Sequence, residues 1–182
     1  NLSNLEAARK VCSLLGVFDQ DFYTAIASFT GASKRLEIIY KDSSNLLIRD
    51  FAHSPSKLTA SVNATRETFK DNFIIGVYEL HTFSSLDPNF INQYSGSLDN
   101  CDLPIVFYDK KNKKIQDSNS INNKIISNAF NIQNLIIIDN SEDLFSYLMS
   151  IEYKKTCLLL MSSGNFGSMN IDKLKSHISN ES

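Results

Sequence analysis

The sequence predicts an α/β fold: a Rossmann-like, mostly parallel sheet of about six strands with helices on both faces. Three observations point there. Short apolar runs alternate with helical patterns of roughly 10 to 15 residues, the rhythm of strand–helix–strand units. Two of the runs, FIIGVYE at 73–79 and TCLLLM at 156–161, are almost continuously apolar, as strands covered on both faces are. Several runs end in polar loops rich in functional side chains, and in open α/β sheets ligands sit outside the carboxyl ends of the strands. No internal repeat is visible.

The totals fit one domain with a real core and an appended piece. Of the 182 residues, 42% are hydrophobic and 21% charged, ordinary values for a globular protein. A formal net charge of -2 leaves no basic footprint for nucleic acid, although local basic pockets can still hold a phosphate. No apolar run is long enough to span a bilayer, and no signal-peptide pattern opens the chain, so no membrane partner is expected. The three cysteines, Cys12, Cys101 and Cys157, are widely spaced and form no CxxC pair, which supports neither a zinc site nor a disulfide framework. Cys12 and Cys157 lie among apolar residues and read as core thiols, and a reducing cytoplasm is the simplest location. The first residue is Asn1, so a processed start or a piece of a longer protein is expected.

In chain order, residues 2–15 read as a helix, with Leu5, Ala8, Cys12 and Leu15 at helical spacing and Gly16 as its stop. Asp19 can cap a second helix to about Phe29, with Phe22, Ile26 and Phe29 on one face. A polar connector, TGASKR, marks a domain boundary: residues 1–28 as one segment and 29–182 as the main domain. A strand at 36–40, a turn at 42–45 and a strand at 46–49 follow. Pro55 suits a helix start, because its missing N–H does no harm there. Leu58, Val62, Thr65 and Phe69 form that helix's buried face. After the strand at 73–79, a short helix is expected beyond Pro88, then a strand at 103–108 with Pro104 at its beginning or on an edge. The run DKKNKKIQDSNS at 109–120 is the most loop-like stretch. A helix at 121–130, a strand at 135–138, a helix capped by Ser141, the strand at 156–161 and a helix at 171–178 complete the chain.

Four constellations carry candidate chemistry. Asp50, His53, Pro55 and Lys57 place a carboxylate, an imidazole and a helix N-terminus at one strand end. A carboxylate there can accept both hydroxyls of a ribose, and an imidazole beside a helix N-terminus can hold an anion. The alternative is that Asp50 caps a turn and His53 is a surface loop residue. Glu79, His81, Thr82, Ser84 and Ser85 form a loop able to hydrogen-bond a polar ligand. Residues 162–167, SSGNFG, place two glycines after a strand, which permits close backbone approach, but the run is neither a Walker A loop nor GxGxxG. Lys34 and Arg35 can meet phosphates or be a solvated linker. His53, His81 and His177 have no metal-ligand spacing, so no metal site is expected, and no nucleophile elbow or catalytic triad is present.

Taken together, these residues resemble the muramyl (Mur) ligase family, ATP-dependent amide ligases of peptidoglycan building, over nearly the whole chain. NLSNLEAA at 1–8 is similar to the HNxxNxxAA segment that ends the family's central ATPase domain. SKRLE at 33–37 is similar to its KRR[FM]E stretch, and DFAHSP at 50–55 to its D[YF]AHxP signature, the most specific of the set. SSGNFG resembles its late glycine loop. Phe51, Glu79 and that loop look closest to the muropeptide ligase branch, which attaches the recycled tripeptide L-alanyl-γ-D-glutamyl-meso-diaminopimelate. The L-alanine ligases carry PHRYSR where this chain has LHTFSS at 80–85: His81 is kept and both arginines are absent. No P-loop and no magnesium-binding residues of a central domain are present.

The resemblance implies a C-terminal domain, with residues 1–28 as terminal helices of the preceding central ATPase domain or linker. It implies ATP as cofactor, with Mg2+ bound mainly by the missing central domain. It also implies amide formation, through an acyl phosphate, between UDP-N-acetylmuramate and L-alanine or a muropeptide. Asn1 and Asn4 would lie at the adenine, Arg35 and His53 near the phosphates, Asp50 near the ribose, and His81, Ser163 and Asn165 toward the amine substrate. No catalytic residue proper is expected in this chain. The alternative is a stand-alone nucleotide- or peptide-binding module on the same fold, without catalysis.

Overall fold

The computed structural model of the chain describes residues 2–29, 34–82, 84–111 and 121–180. Asn1, Ser33 and most of the polar stretch expected at 109–120 lie outside the described residues. The chain divides into two compact units, Asn1–Ser33 and Lys34–Ser182.

The first unit holds two helices, α1 (Leu2–Leu14) and α2 (Asp19–Ala27). Gly16 stops α1 in a left-handed conformation, φ +86°. The Gly16 N–H donates to the Ser13 carbonyl at 3.1 Å and the Val17 N–H to the Cys12 carbonyl at 3.0 Å, the paired bonds of a Schellman turn. Arg9 joins the helices: its guanidinium donates to Glu6 and, at 2.9 Å, to both carboxylate oxygens of Asp19. The hydrogen bond from Arg9 holds the Glu6 carboxyl below its ordinary range. Phe18 rather than Asp19 occupies the N-cap of α2, and Asp19 becomes its first helical residue.

The expected buried faces are only partly realised. Phe22 is buried, but α1 buries no residue, and Leu15 and Phe29 are 79% and 63% exposed. Cys12 is half-buried, so it is not the core thiol that its apolar neighbours suggest. Two short helices present too little facing surface to enclose a core between them.

The second unit contains the sheet: β1 (Glu37–Lys41), β2 (Leu46–Asp50), β3 (Phe73–Glu79), β4 (Leu103–Phe107), β5 (Ile136–Ile138) and β6 (Thr156–Met161). Their spatial order is β1-β2-β6-β3-β4-β5. Every neighbouring pair is parallel except the β1–β2 hairpin. The hairpin turn is built by Asp42, whose Oδ1 accepts the N–H groups of Ser44 and Asn45 at 2.6 and 2.7 Å. Buried Asn45 then sets the β2–β6 register, donating to the Tyr153 carbonyl at 3.1 Å and accepting the Thr156 N–H at 3.0 Å. Pro104 is tolerated inside β4 because the pairing with β5 begins only at Ile105, so its missing N–H leaves no gap in the ladder.

Four helices cover the two faces: α3 (Pro55–Thr68), α4 (Asn123–Phe130), α5 (Ser141–Met149) and α6 (Ile171–Asn180). On one face, Leu58 and Val62 of α3 and Ile126 and Phe130 of α4 pack with Ile48, Ile74, Tyr78 and Leu159. On the other, Leu144 and Leu148 of α5 and Leu174 and Ile178 of α6 pack with Leu47, Val77, Phe107 and Leu160. The alternation of side chains along each strand produces this division. The short helix expected after Pro88 is a 3₁₀ turn, Ile91–Tyr94, and a second 3₁₀ turn, Ser84–Leu86, precedes the proline. They carry Tyr94 inward to stack on Phe130 at 5.3 Å and to share a 2.7 Å hydrogen bond with the Tyr78 hydroxyl. Asn140, not Ser141, caps α5, accepting the Asp143 N–H at 2.8 Å.

Cys101 and Cys157 are buried, and burial pushes both thiols up to about 12. Alkylation of the native chain at about pH 8 is expected to modify Cys12 alone, and all three cysteines after unfolding; native labelling of Cys101 or Cys157 would contradict this packing. Gly76 meets Cys101 so closely that an added Cβ would lie 2.3 Å from its sulfur. Gly76→Ala is therefore expected to cost about 1–3 kcal/mol in chemical denaturation, and adding Cys101→Ala should recover most of that loss. Equal stability of Gly76→Ala and wild type would show that the contact is not tight.

Candidate functional site

The parallel strands point their carboxyl ends the same way, and three neighbours in the sheet, β2, β6 and β3, end in the polar loops singled out above. Two buried carboxylates stand at this end. Asp50 closes β2 and is 8% exposed; Glu79 closes β3 and is 4% exposed. A buried carboxylate is tolerated only when hydrogen bonds replace its water, so the partners of these two groups define the site.

Asp50 takes the Leu36 N–H on Oδ1 at 2.8 Å and the Ser61 hydroxyl of α3 on Oδ2 at 2.5 Å. The first bond anchors the segment that carries Lys34 and Arg35. Lys34 and Leu36 both adopt left-handed backbone, φ 60° and 45°. That conformation is costly without glycine, roughly 1–2 kcal/mol each, and here both N–H groups are held by carboxylates: Leu36 by Asp50, and Lys34 by Glu37 at 2.9 Å. Glu37 also pairs with Arg49 at 2.9 Å, and the Arg49 guanidinium is the main reason its carboxyl lies below the ordinary range. Arg35, between the two left-handed residues, is exposed.

His53 is half-buried three residues past the end of β2. Its Nδ1 sits 2.8 Å from the Phe51 carbonyl, and its ring packs edge-on against Phe51 at 5.1 Å. With Nδ1–H donating to that carbonyl, Nε2 is left to meet a ligand. The next element is α3, with Pro55 in its first turn. Its N-cap, Ser54, makes no side-chain capping bond. The first-turn N–H groups of α3 therefore have no side-chain cap, the arrangement that suits an anion. Arg35, Asp50, His53 and the start of α3 are thus brought to one strand end.

Glu79 gathers the second cluster. Its Oε2 accepts the Ser162 hydroxyl in a short hydrogen bond and the Phe166 N–H at 3.0 Å, and its Oε1 lies 3.6 Å from His81 Nδ1. Ser162 Oγ in turn accepts the Gly164 N–H at 2.6 Å. Ser162 also links the clusters, since its N–H donates to the Asp50 carbonyl at 3.0 Å. Ser163 and His81 are half-buried and Asn165 is exposed. Asn165 caps the short turn Phe166–Ser168, accepting the Ser168 N–H at 3.3 Å.

Asn4 is an exposed residue of α1 in the first unit. The candidate residues of the second unit gather at one sheet end, yet none of them lines the open groove between β1 and α6, about 620 Å³, which is bordered by Glu37, Ile38, Arg49 and residues 168–172. Among the described residues no group of three or more His, Cys, Asp or Glu side chains could hold a metal ion. No described helix is long and apolar enough to cross a membrane.

Of the two hydroxyls on which the buried carboxylates depend, Ser61 is absent from the candidate residues read from sequence, and Ser162 is present only as the first residue of the 162–167 loop. Ser61 carried a signal, a polar residue among Leu58, Val62 and Thr65 on a buried helix face. Ser162 carried none beyond its place after a strand, because its partners are Asp50 and Glu79, far away in sequence.

No protein-family model matches the chain. The chain is 27% identical, over 174 residues, to the UDP-N-acetylmuramate–L-alanine ligase of Porphyromonas gingivalis, a match that covers 96% of this chain and 36% of that protein. It therefore spans about a third of the length of such curated relatives. Among solved structures, a murein peptide ligase from Psychrobacter arcticus superposes on 98% of the chain with a TM-score of 0.68 at 18% identity, using 37% of its own length. A solved domain from Haemophilus ducreyi, assigned to a UDP-N-acetylmuramate:L-alanyl-γ-D-glutamyl-meso-diaminopimelate ligase, matches 79% of this chain over 99% of its own length (TM-score 0.55, 23% identity). The chain therefore carries the sequence pattern and the Rossmann-like fold of the C-terminal domain of a Mur ligase.

Proposed function

We propose that this chain is the C-terminal part of an ATP-dependent ligase that joins UDP-N-acetylmuramate to L-alanine or to a recycled muropeptide, in the cytoplasm, for peptidoglycan synthesis or recycling. The observation that carries the reading is the similarity to an L-alanine ligase over 96% of the chain, together with the meeting of Arg35, Asp50 and His53 at one strand end. The residues at that end fit a phosphate-bearing ligand: an exposed guanidinium, an imidazole with one nitrogen uncommitted, and a helix N-terminus without a side-chain cap.

ATP, when bound, supplies the phosphoryl group that activates the muramoyl carboxylate as an acyl phosphate. This chain's own part is positioning and charge stabilisation. Arg35 and His53 meet the phosphates. Asp50 holds the strand end that carries them, and its remaining lone pairs are offered to the ribose hydroxyls. His81, Ser163 and Asn165 orient the amine acceptor from the neighbouring loops. Asn1 and Asn4, with residues 1–28, belong in this reading to the end of the preceding central domain and approach the adenine. Magnesium falls in this reading to that central domain.

The test is coupling of UDP-N-acetylmuramate to L-alanine and to the tripeptide by the full-length protein, followed by ATP consumption. Ligation of either acceptor supports the reading, and the preferred acceptor names the branch. The 182 residues alone should show none; measurable ligation by them would contradict the division of labour. In an active full-length enzyme, Arg35→Ala and His53→Ala are expected to raise KM for ATP about tenfold or more, and unchanged constants would remove both from the phosphate site. Asp50→Asn is expected to act twice. It should raise KM for ATP, and it should lower the stability of the ligand-free chain by about 1–3 kcal/mol, because hydrogen bonds to a charged group are weakened. An unshifted unfolding midpoint would show that Leu36 and Ser61 do not depend on the charge.

A further inference from the structure

Glu79 is the one buried carboxylate of the site without a ligand role in the reading above, and its surroundings are specific. It is 4% exposed at the end of β3. Ser162 and the Phe166 N–H occupy Oε2, and both belong to the loop after β6. His81, in the loop after β3, lies 3.6 Å from Oε1. Gly164 passes so close that a Cβ there would sit 2.7 Å from Oε2 and 2.9 Å from His81 Nδ1. The two oxygens of one side chain thus face two different loops, and those loops carry the residues assigned to the acceptor.

We propose that Glu79 is a positioning residue that sets the acceptor site, tying the Ser163–Asn165 loop through Oε2 and orienting the His81 imidazole through Oε1. The role follows from the fold. Tyr78 and Met161 are the last residues paired between β3 and β6, so Glu79, the final residue of β3, and Ser162, just past β6, follow side by side. A carboxylate at that point reaches back over the neighbouring strand end. Burial makes its position exact in consequence, since a displaced carboxylate would lose partners that water cannot replace. Glu79 and Ser162 hold the loop from below, and the Asn165–Ser168 turn closes it, so that Ser163 and Asn165 are presented together.

The inference rests on the ligase reading, and the test separates the two. Glu79→Gln keeps an oxygen for Ser162 and Phe166 but puts an amide where Oε1 faces His81; Glu79→Ala removes both. In the full-length enzyme, Glu79→Gln should raise KM for the amine acceptor roughly tenfold and alter the pH profile of its kcat/KM, with KM for ATP changed by less than about twofold. Glu79→Ala should have the larger effect on the acceptor. In the 182-residue chain, amide hydrogen exchange of Gly164 and Phe166 should stay protected in Glu79→Gln and accelerate in Glu79→Ala. If Glu79→Ala does not fold, Ser162→Ala takes its place in the exchange measurement, with Gly164 expected to lose protection.

A parallel rise in both Michaelis constants, or no change in the acceptor's, would overturn the positioning role, as would unchanged Phe166 protection in Glu79→Ala. Absence of ligation by the wild-type full-length protein would instead overturn the ligase reading, and the exchange experiment would then decide alone whether Glu79 holds the loop.

Discussion

Three neighbouring strands end on a chain of hydrogen bonds from Asp50 through Ser162 to Glu79, and the site depends on it. The Ser162 N–H reaches the Asp50 carbonyl, and its hydroxyl reaches the Glu79 carboxylate. Both carboxylates are nearly out of solvent. Each would be destabilising there without donors, so the donors and the strand ends that bring them must stay in register. The register is set at the opposite end of the sheet, where Asn45 joins the starts of β2 and β6. A side-chain amide at one end of the strands and two carboxylates at the other thus hold the loops between which ligands would bind.

The two carboxylates organise different parts of that surface. Asp50 works on backbone and helix: it holds Leu36, hence the left-handed segment on which Arg35 is displayed, and Ser61, hence the start of α3. Glu79 works on loops, through Ser162, Phe166 and His81. The first arrangement suits a ligand of fixed charge and shape, such as a phosphate chain. The second suits a ligand that differs between members of one family, because a loop held by a single side chain changes with few substitutions. Among the described residues, the groups displayed are a guanidinium, imidazoles and hydrogen-bonding side chains, which suit chemistry that proceeds by orientation and charge stabilisation.

Much of this was legible in the sequence where the cause is local. Continuous apolar runs mark β3 and β6, Pro55 marks the start of α3, and Pro104 stands at the beginning of β4, where its missing N–H is tolerated. The DFAHSP run placed Asp50, His53 and the helix start together because five residues of chain leave them no freedom to part. What stayed hidden is long-range. Ser61 and Ser162 acquire their roles from partners on other elements. The cap of α5 went to Asn140 rather than Ser141 because either residue satisfies the local pattern. The apolar spacing of α1 suggested a buried face that one further helix does not cover. The short helix after Pro88 took the 3₁₀ form, Ile91–Tyr94, where Tyr94 and Phe130 stack, a packing demand with no local signature.

The most direct measurement is a crystal structure of the full-length protein with a non-hydrolysable ATP analogue, Mg2+ and UDP-N-acetylmuramate. The phosphate chain is expected within hydrogen-bond reach of Arg35 and His53 at the end of β2, with His81 and the 162–167 loop turned toward the muramoyl carboxylate. A nucleotide bound away from the end of β2, out of reach of Arg35 and His53, would contradict this placement.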